Sequence, residues 1–365
     1  MDAFLPRDQM PALFRELGNA GYRVLAPVAR AGVIQFSDAD SLASLQGVHV
    51  EQAPGHYRLT RHDDVFCFSW AVGPQALKPL TFCAEEALWR VDENQGLDFS
   101  VVEPDIRPTA VIGARACDLA ALALQRRHFE QPGREDEHFR RRAAALFIVA
   151  VDCHTSAETC FCHSTGDGPA VATGADLRLH ELAEGYLIEA LSERGQPVLQ
   201  RLPVFPATAE QIECQQTQLE QAAGQQQRVL PPGDLTPGLR EQWESPAWRA
   251  VAGRCLSCTN CTAVCPTCFC SSQQQQSLPE PGRHEQSRRW DSCFTAQHSY
   301  IHGIVIRADT TARYRQWLTH KLGFWHQQYG RSGCVGCGRC IAWCPAGIDL
   351  VASVRQVLES DDAEC

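Results

Sequence analysis

The sequence predicts an α/β domain followed by a smaller α+β domain organised around cysteine. Three observations carry that reading. Two short apolar runs flank a helical stretch in the first half, a Pro/Gly cluster divides the chain, and most of the 19 cysteines crowd behind it. The runs are Thr109 to Ala114 (TAVIGA) and Ala143 to Val151 (AAALFIVAV), both continuous enough for buried strands. Between them, Asp118 to Glu130 has helical composition, with Asp118 placed as its N-cap. Strand, helix and strand in that order favour parallel pairing. Cys117 and Cys153 then follow the carboxyl ends of neighbouring strands, where open α/β sheets bind ligands. The other reading of both is a buried structural thiol.

The remaining elements are less sharply marked. Residues 55–61 (GHYRLTR) and 185–191 (GYLIEAL) read as strands. Thr208 and Gln211 have capping-box spacing and open a Gln-rich helix reaching about Gln221. Gln273 to Gln276, followed by SLPEPG, reads as a surface loop. Tyr314, Trp317, Leu318, Leu322 and Trp325 recur at helical spacing as a core stripe, and His298 and His302 fall in a packed segment. The Pro231–Gly238 cluster suits neither helix nor strand, which sets the domains at residues 1–235 and 236–365.

Composition narrows the function. The net charge of −10 argues against a nucleic-acid partner, because phosphate backbones recruit basic surfaces. No apolar run reaches the ~18–20 residues of a membrane span. The N-terminus mixes acids and bases before any apolar stretch, unlike a secretory signal. A cytoplasmic protein without membrane insertion is expected. A reducing cytosol disfavours a disulfide scaffold, so this many thiols point to metal.

Two cysteine motifs dominate the second half. Cys255, Cys258, Cys261, Cys265 and Pro266 form C-x2-C-x2-C-x3-C-P, and Cys334, Cys337, Cys340, Cys344 and Pro345 repeat it. This is the bacterial ferredoxin spacing for two 4Fe-4S clusters, in which the fourth cysteine reaches the other cluster. The expected ligand sets are Cys255, Cys258, Cys261 and Cys344 for one cluster, and Cys334, Cys337, Cys340 and Cys265 for the other. The second domain is therefore expected to be a two-cluster bacterial-ferredoxin-like fold. It carries a long insertion, Pro266 to Gly333. Zinc knuckles share the C-x2-C step, but zinc would leave the third step and the proline without a purpose.

Further thiols lie outside these motifs. Cys153, Cys160 and Cys162, with Cys117, supply four that could hold a third iron–sulfur cluster in the N-terminal domain. Zinc, a plain thiol cluster, or ligands shared with the second C-x-C pair are the other readings. Cys268, Cys270 and Cys293 form a weaker candidate site, one thiol short of four. No Gly-x-Gly-x-x-Gly after a strand, phosphate-binding loop or His-Glu-x-x-His pattern is present.

Several segments carry a family resemblance: Gly21 to Pro27, Lys78-Pro79-Leu80, Gly113 to Asp118, Thr159 to Pro169, Cys265 to Cys270, Trp290 to Cys293, His320-Lys321-Leu322 and Ile348-Asp349-Leu350. Over nearly its whole length the chain resembles the iron–sulfur beta subunit of cytoplasmic sulfhydrogenases, which are NAD(P)-linked nickel–iron hydrogenases. It is similar too to the related iron–sulfur subunit of the anaerobic sulfite reductase. The resemblance implies a non-catalytic electron-transfer subunit between a flavoprotein that handles NAD(P)H and a partner with the metal catalytic site. Electrons would enter and leave near Cys334–Cys344 and Cys160–Gly168. A redox-sensing iron–sulfur protein and a zinc scaffold are the competing classes.

Overall fold

The computed structural model describes every residue except Asp2, Gln95 and residues 361–365, so Cys365 lies outside the described residues. Its larger sheet uses β1 (Ala3–Pro6), β2 (Arg23–Arg30), β3 (Val33–Asp38), β4 (Thr109–Ala114), β5 (Leu146–Val151), β6 (Leu177–Glu181), β7 (Gly185–Ala190) and β8 (Phe205–Pro206). The spatial order is β8-β1-β7-β6-β5-β4-β2-β3. The four central strands β2, β4, β5 and β6 run parallel, and the outer pairs are antiparallel. Every residue of β4 and β5 is buried, as expected of parallel strands covered on both faces. Ala110 and Ile112 face the helix Met10–Asn19, while Val111 faces the helix Ala116–Phe129. The α/β reading of the first half and the strand–helix–strand unit at its centre are thus present.

Three local expectations are corrected. The central helix begins at Ala116, with Arg115 in the cap position. Asp118 instead sits one turn inside and accepts the Arg115 backbone N–H at 3.2 Å. Ala143 and Ala144 end a preceding helix, Glu137–Ala144, as good helix formers do, and β5 starts only at Leu146. Gln273–Gln276 is not a loop but part of the strand Ser271–Ser277, paired antiparallel with Arg283–Trp290. Strand pairing uses only the backbone, so an edge strand tolerates glutamines that side-chain pattern cannot identify.

That hairpin continues into Glu85–Asp92 and Asp98–Val101, making a four-stranded sheet from both halves of the chain. Glu86, on the first of these strands, pairs with Arg288 of the neighbouring strand at 2.6 Å and with Arg142 and His138 of the helix Glu137–Ala144. The expected Gln-rich helix runs Ala209–Gly224, capped by Thr208 and Gln211. The aromatic stripe is core: Tyr314, Trp317, Leu318 and Leu322 pack with Trp248 and the helix Leu350–Leu358. His298 and His302 depart from the packed segment expected, since His302 is exposed at a hairpin turn. No helix among the described residues is long and apolar enough to cross a membrane.

Candidate metal centres

Each C-x2-C-x2-C loop runs straight into a short helix, Asn260–Ala263 after the first and Arg339–Ala342 after the second. The two loops share a backbone conformation. Ser257 and Thr259 have φ of 51° and 69°, and Gly336 and Gly338, at the matching positions, have 63° and 73°. Left-handed residues between ordinary ones turn successive amide N–H groups inward, a concavity suited to anions and iron–sulfur clusters. The Ser257 N–H accordingly points at Cys255 Sγ, 3.4 Å away.

The structure brings the motif thiols together. Cys255, Cys258, Cys261, Cys340 and Cys344 line one cavity of about 480 Å³, counting its open side. Tyr314, Trp317 and Ile348 wall it, and the Trp317 Nε1–H is buried there without a partner. Cys334, Cys337 and Cys340 stand close to one another and to Cys265. Cys344 lines the cavity of the first motif's three, and Cys265 is within charge range of Cys334, Cys337 and Cys340 and also of Cys261. Burial pushes the Cys334 thiol up to about 12, and burial with neighbouring sulfurs raises Cys261 and Cys340. Four thiolates in such surroundings repel one another and need a positive centre between them.

The N-terminal thiols form a third group against the second. Cys160 and Cys162 feel each other and Cys153, and Cys117 feels Cys162; Cys117, Cys160 and Cys162 all feel Cys337. Burial pushes Cys160 up to about 12. Two buried arginines face these sulfurs. Arg115 is held by the carbonyls of Asp152, Phe68 and Trp70, and Arg339 by Asp118 at 2.8 Å. Arg115 lies beside Cys153 and Arg339 beside Cys337, and Arg115 Nε and Arg339 Nη1 are buried without a nitrogen or oxygen partner. Orphaned cationic N–H groups around a set of thiols fit an anionic cluster.

Cys268, Cys270 and Cys293 lie elsewhere, near Cys265, so the two C-x-C pairs do not share one site. Among the described residues, no three Cys, His, Asp or Glu side chains are grouped to hold a single metal ion.

Sequence reasoning missed how the second motif is covered. Its loop lies beneath Thr159–Cys162, with the Phe161 N–H on the Gly336 carbonyl at 2.8 Å. A Cβ on Gly336 would fall 2.5 Å from Phe161 and Cys162 backbone, and one on Gly338 2.3 Å from the Thr159 carbonyl. The glycines were the available signal. The first loop is open instead, with Cys258 exposed and Leu256 68% accessible. Within the segment expected as an outlet, Cys334 and Cys337 are buried while Cys340 and Cys344 are partly exposed. Also missed were two buried lysines, Lys78 and Lys321, beside the motif sulfurs.

Residues 254–348 match the family described as the 4Fe-4S dicluster domain. The chain as a whole is similar to "Sulfhydrogenase 2 subunit beta" of Pyrococcus furiosus, 28% identical over 360 residues, covering 97% of this chain and 98% of that relative. No solved structure matches it.

Proposed function

We propose that this chain is a non-catalytic electron-transfer component of a multi-subunit oxidoreductase in the cytoplasm. The observation that carries the reading is the arrangement of three thiol groups in series. The Cys117, Cys153, Cys160 and Cys162 group adjoins Cys337, and Cys340 of the second group adjoins Cys261 of the first. The ferredoxin-like unit, residues 236–365, would hold two 4Fe-4S clusters on the exchanged ligand sets, and the 1–235 unit a third. Bound there, the clusters would supply one-electron carriers; every other task falls to the chain. Its thiolates ligate, its left-handed loops aim N–H groups at sulfur, and Trp317 and Ile348 keep water out.

The sequence lacks a nucleotide-binding loop, which favours a separate NAD(P)H-oxidising flavoprotein subunit to give or take electrons. The relative's name favours, at the other end, a hydrogenase-type catalytic metal subunit. An anaerobic sulfite reductase-type complex is the second assignment, through the resemblance of the same motifs. Exchange of the fourth ligand is the part most open to test. Cys344→Ser is expected to alter the cluster on Cys255, Cys258 and Cys261, and Cys265→Ser the other, by electron paramagnetic resonance after dithionite reduction. If each variant disturbed only the cluster of its own motif, the ligand sets would be wrong.

A further inference from the structure

We propose that Lys78 and Lys321 fix two positive charges beside the second motif's thiol group. They thereby raise the reduction potential of the cluster it would hold above that of the first. The proposal rests on the cluster reading above and adds a direction to it: an electron entering at the open loop runs inward. Of the 33 lysines and arginines in the chain, only two are lysine. Both are buried, at 5% and 4% exposure. Lys78 opens the helical turn Lys78–Thr81, and Lys321 sits on a turn of π-helix at His320–Phe324. Folding brings these distant segments together at Cys265, which feels both charges.

The hydrogen bonds show that Lys321 is an ammonium. Its Nζ donates to Thr267 Oγ1 at 2.9 Å, the Gly333 carbonyl at 3.3 Å and Cys265 Sγ at 3.4 Å. Three acceptors use three N–H groups, one more than a neutral amine carries. Lys78 donates to the carbonyls of Thr262 and Ala263, at 3.3 and 3.0 Å, and lies 3.9 Å over the Trp290 ring. Those carbonyls close the short helix that leads from the first loop to Cys265. Among the described residues, the negative groups acting on both lysines are sulfurs, with Cys265 and Cys268 common to the two. A buried ammonium without a counter-charge is costly. A cluster on Cys265 supplies that counter-charge and becomes one charge more negative on reduction, so fixed cations beside it favour the reduced form. The first group has no such neighbours. Cys334 feels Lys321 and Cys337 feels Arg339, whereas the charges acting most on Cys255 and Cys261 are other sulfurs. Water at the exposed Cys258 acts in the opposite sense, but a buried charge at hydrogen-bond distance is screened far less and outweighs it.

The test uses the full chain, purified without oxygen, poised at a series of potentials and followed by electron paramagnetic resonance. Cys334→Ser and Cys255→Ser assign the signals of the second and first clusters. In the parent, the second signal is expected at the higher potential; the reverse order would overturn the proposal. Lys321→Met, with full iron content, is expected to lower the reduced-to-oxidised ratio of the second cluster about tenfold at a fixed potential. For a one-electron couple that is a shift of about 59 mV to more negative potential. Lys78→Met shifts it in the same direction, Lys321→Arg keeps the charge and restores most of the potential, and the first cluster stays where it was. An iron-replete Lys321→Met with both potentials unchanged, or with only the first shifted, would overturn the proposal. If Lys321→Met failed to fold, the parent labelled with nitrogen-15 lysine decides. With only two lysines in the chain, a nitrogen-15 coupling in pulsed spectra of the second signal reports on this pair alone. Its presence supports the proposal and its absence overturns it. Failure of the underlying reading shows separately: a parent without iron refutes the clusters, and Cys265→Ser disturbing only the first signal refutes the exchanged ligand.

Discussion

At the scale of single residues, burial of polar groups is the dominant constraint, and His154 illustrates it. The imidazole sits between Ser69 Oγ, 3.0 Å from Nε2, and the ring of Phe66. Burial, then the nearby Arg115 and His180, pushes its pKa down to about 3 from 6.5. The folded protein therefore keeps His154 neutral, while the unfolded chain takes up a proton below about pH 6.5. Stability from this residue is fully present above that pH and is lost as pH falls toward 3. The slope is up to ~1.4 kcal/mol per pH unit, or roughly 2 kcal/mol between pH 6.5 and 5. Comparing denaturation midpoints at pH 7 and 5, the parent is expected to lose more than His154→Gln by that amount. Equal losses would mean that other groups carry the acid sensitivity. None of this is readable from the sequence, where His154 is only a neighbour of Cys153.

At the scale of elements, the two cysteine loops share one conformation in two environments. The first runs through Ser257 and Thr259, whose left-handed backbone costs a non-glycine residue about 1–2 kcal/mol. The second uses Gly336 and Gly338 because Phe161 and Thr159 press against it. The sequence displayed this difference without its cause, which lies about 180 residues upstream in the chain and only meets the loop on folding. The same holds for the Asp118–Arg339 pair, buried on both sides, which fastens the central helix to the second motif. By contrast, β4 and the aromatic stripe were legible, because their apolar pattern is local. The Gln-rich strand was not, because its side chains are polar and only its backbone pairs with the next strand of the hairpin. A reciprocal exchange tests the environmental account. Thr259→Gly is expected to keep full iron content and stay within about 1 kcal/mol of the parent, relief of strain offsetting the freedom glycine adds when unfolded. Gly338→Thr is expected to lose iron and soluble yield. Iron content and thermal midpoint measure both, and tolerance of Gly338→Thr would mean that the Thr159 segment yields easily.

At the scale of the whole molecule, the thiol groups run from an enclosed interior to one open loop. Cys160 and Cys162 are buried against the second motif, while Cys258 and Leu256 lie on the surface of the first. The sequence located the cysteines but not this polarity, since exposure depends on which segments cover each loop. Distance now decides how the molecule exchanges electrons. A one-electron donor can meet the first group at its open loop, whereas a pyridine nucleotide gives up a hydride and needs a site that accepts two electrons and then divides them. The proposed clusters are one-electron carriers, and the sequence offers no nucleotide-binding loop from which such a site would be built. The isolated chain is therefore expected to bleach with dithionite and to remain oxidised with NADH or NADPH. Addition of the proposed flavoprotein partner should restore reduction by one of the two nucleotides, followed as loss of visible absorbance under anaerobic conditions. Bleaching of the flavin-free chain by NADH or NADPH alone would contradict the electron-relay reading, because it would place a hydride-accepting centre within the chain itself.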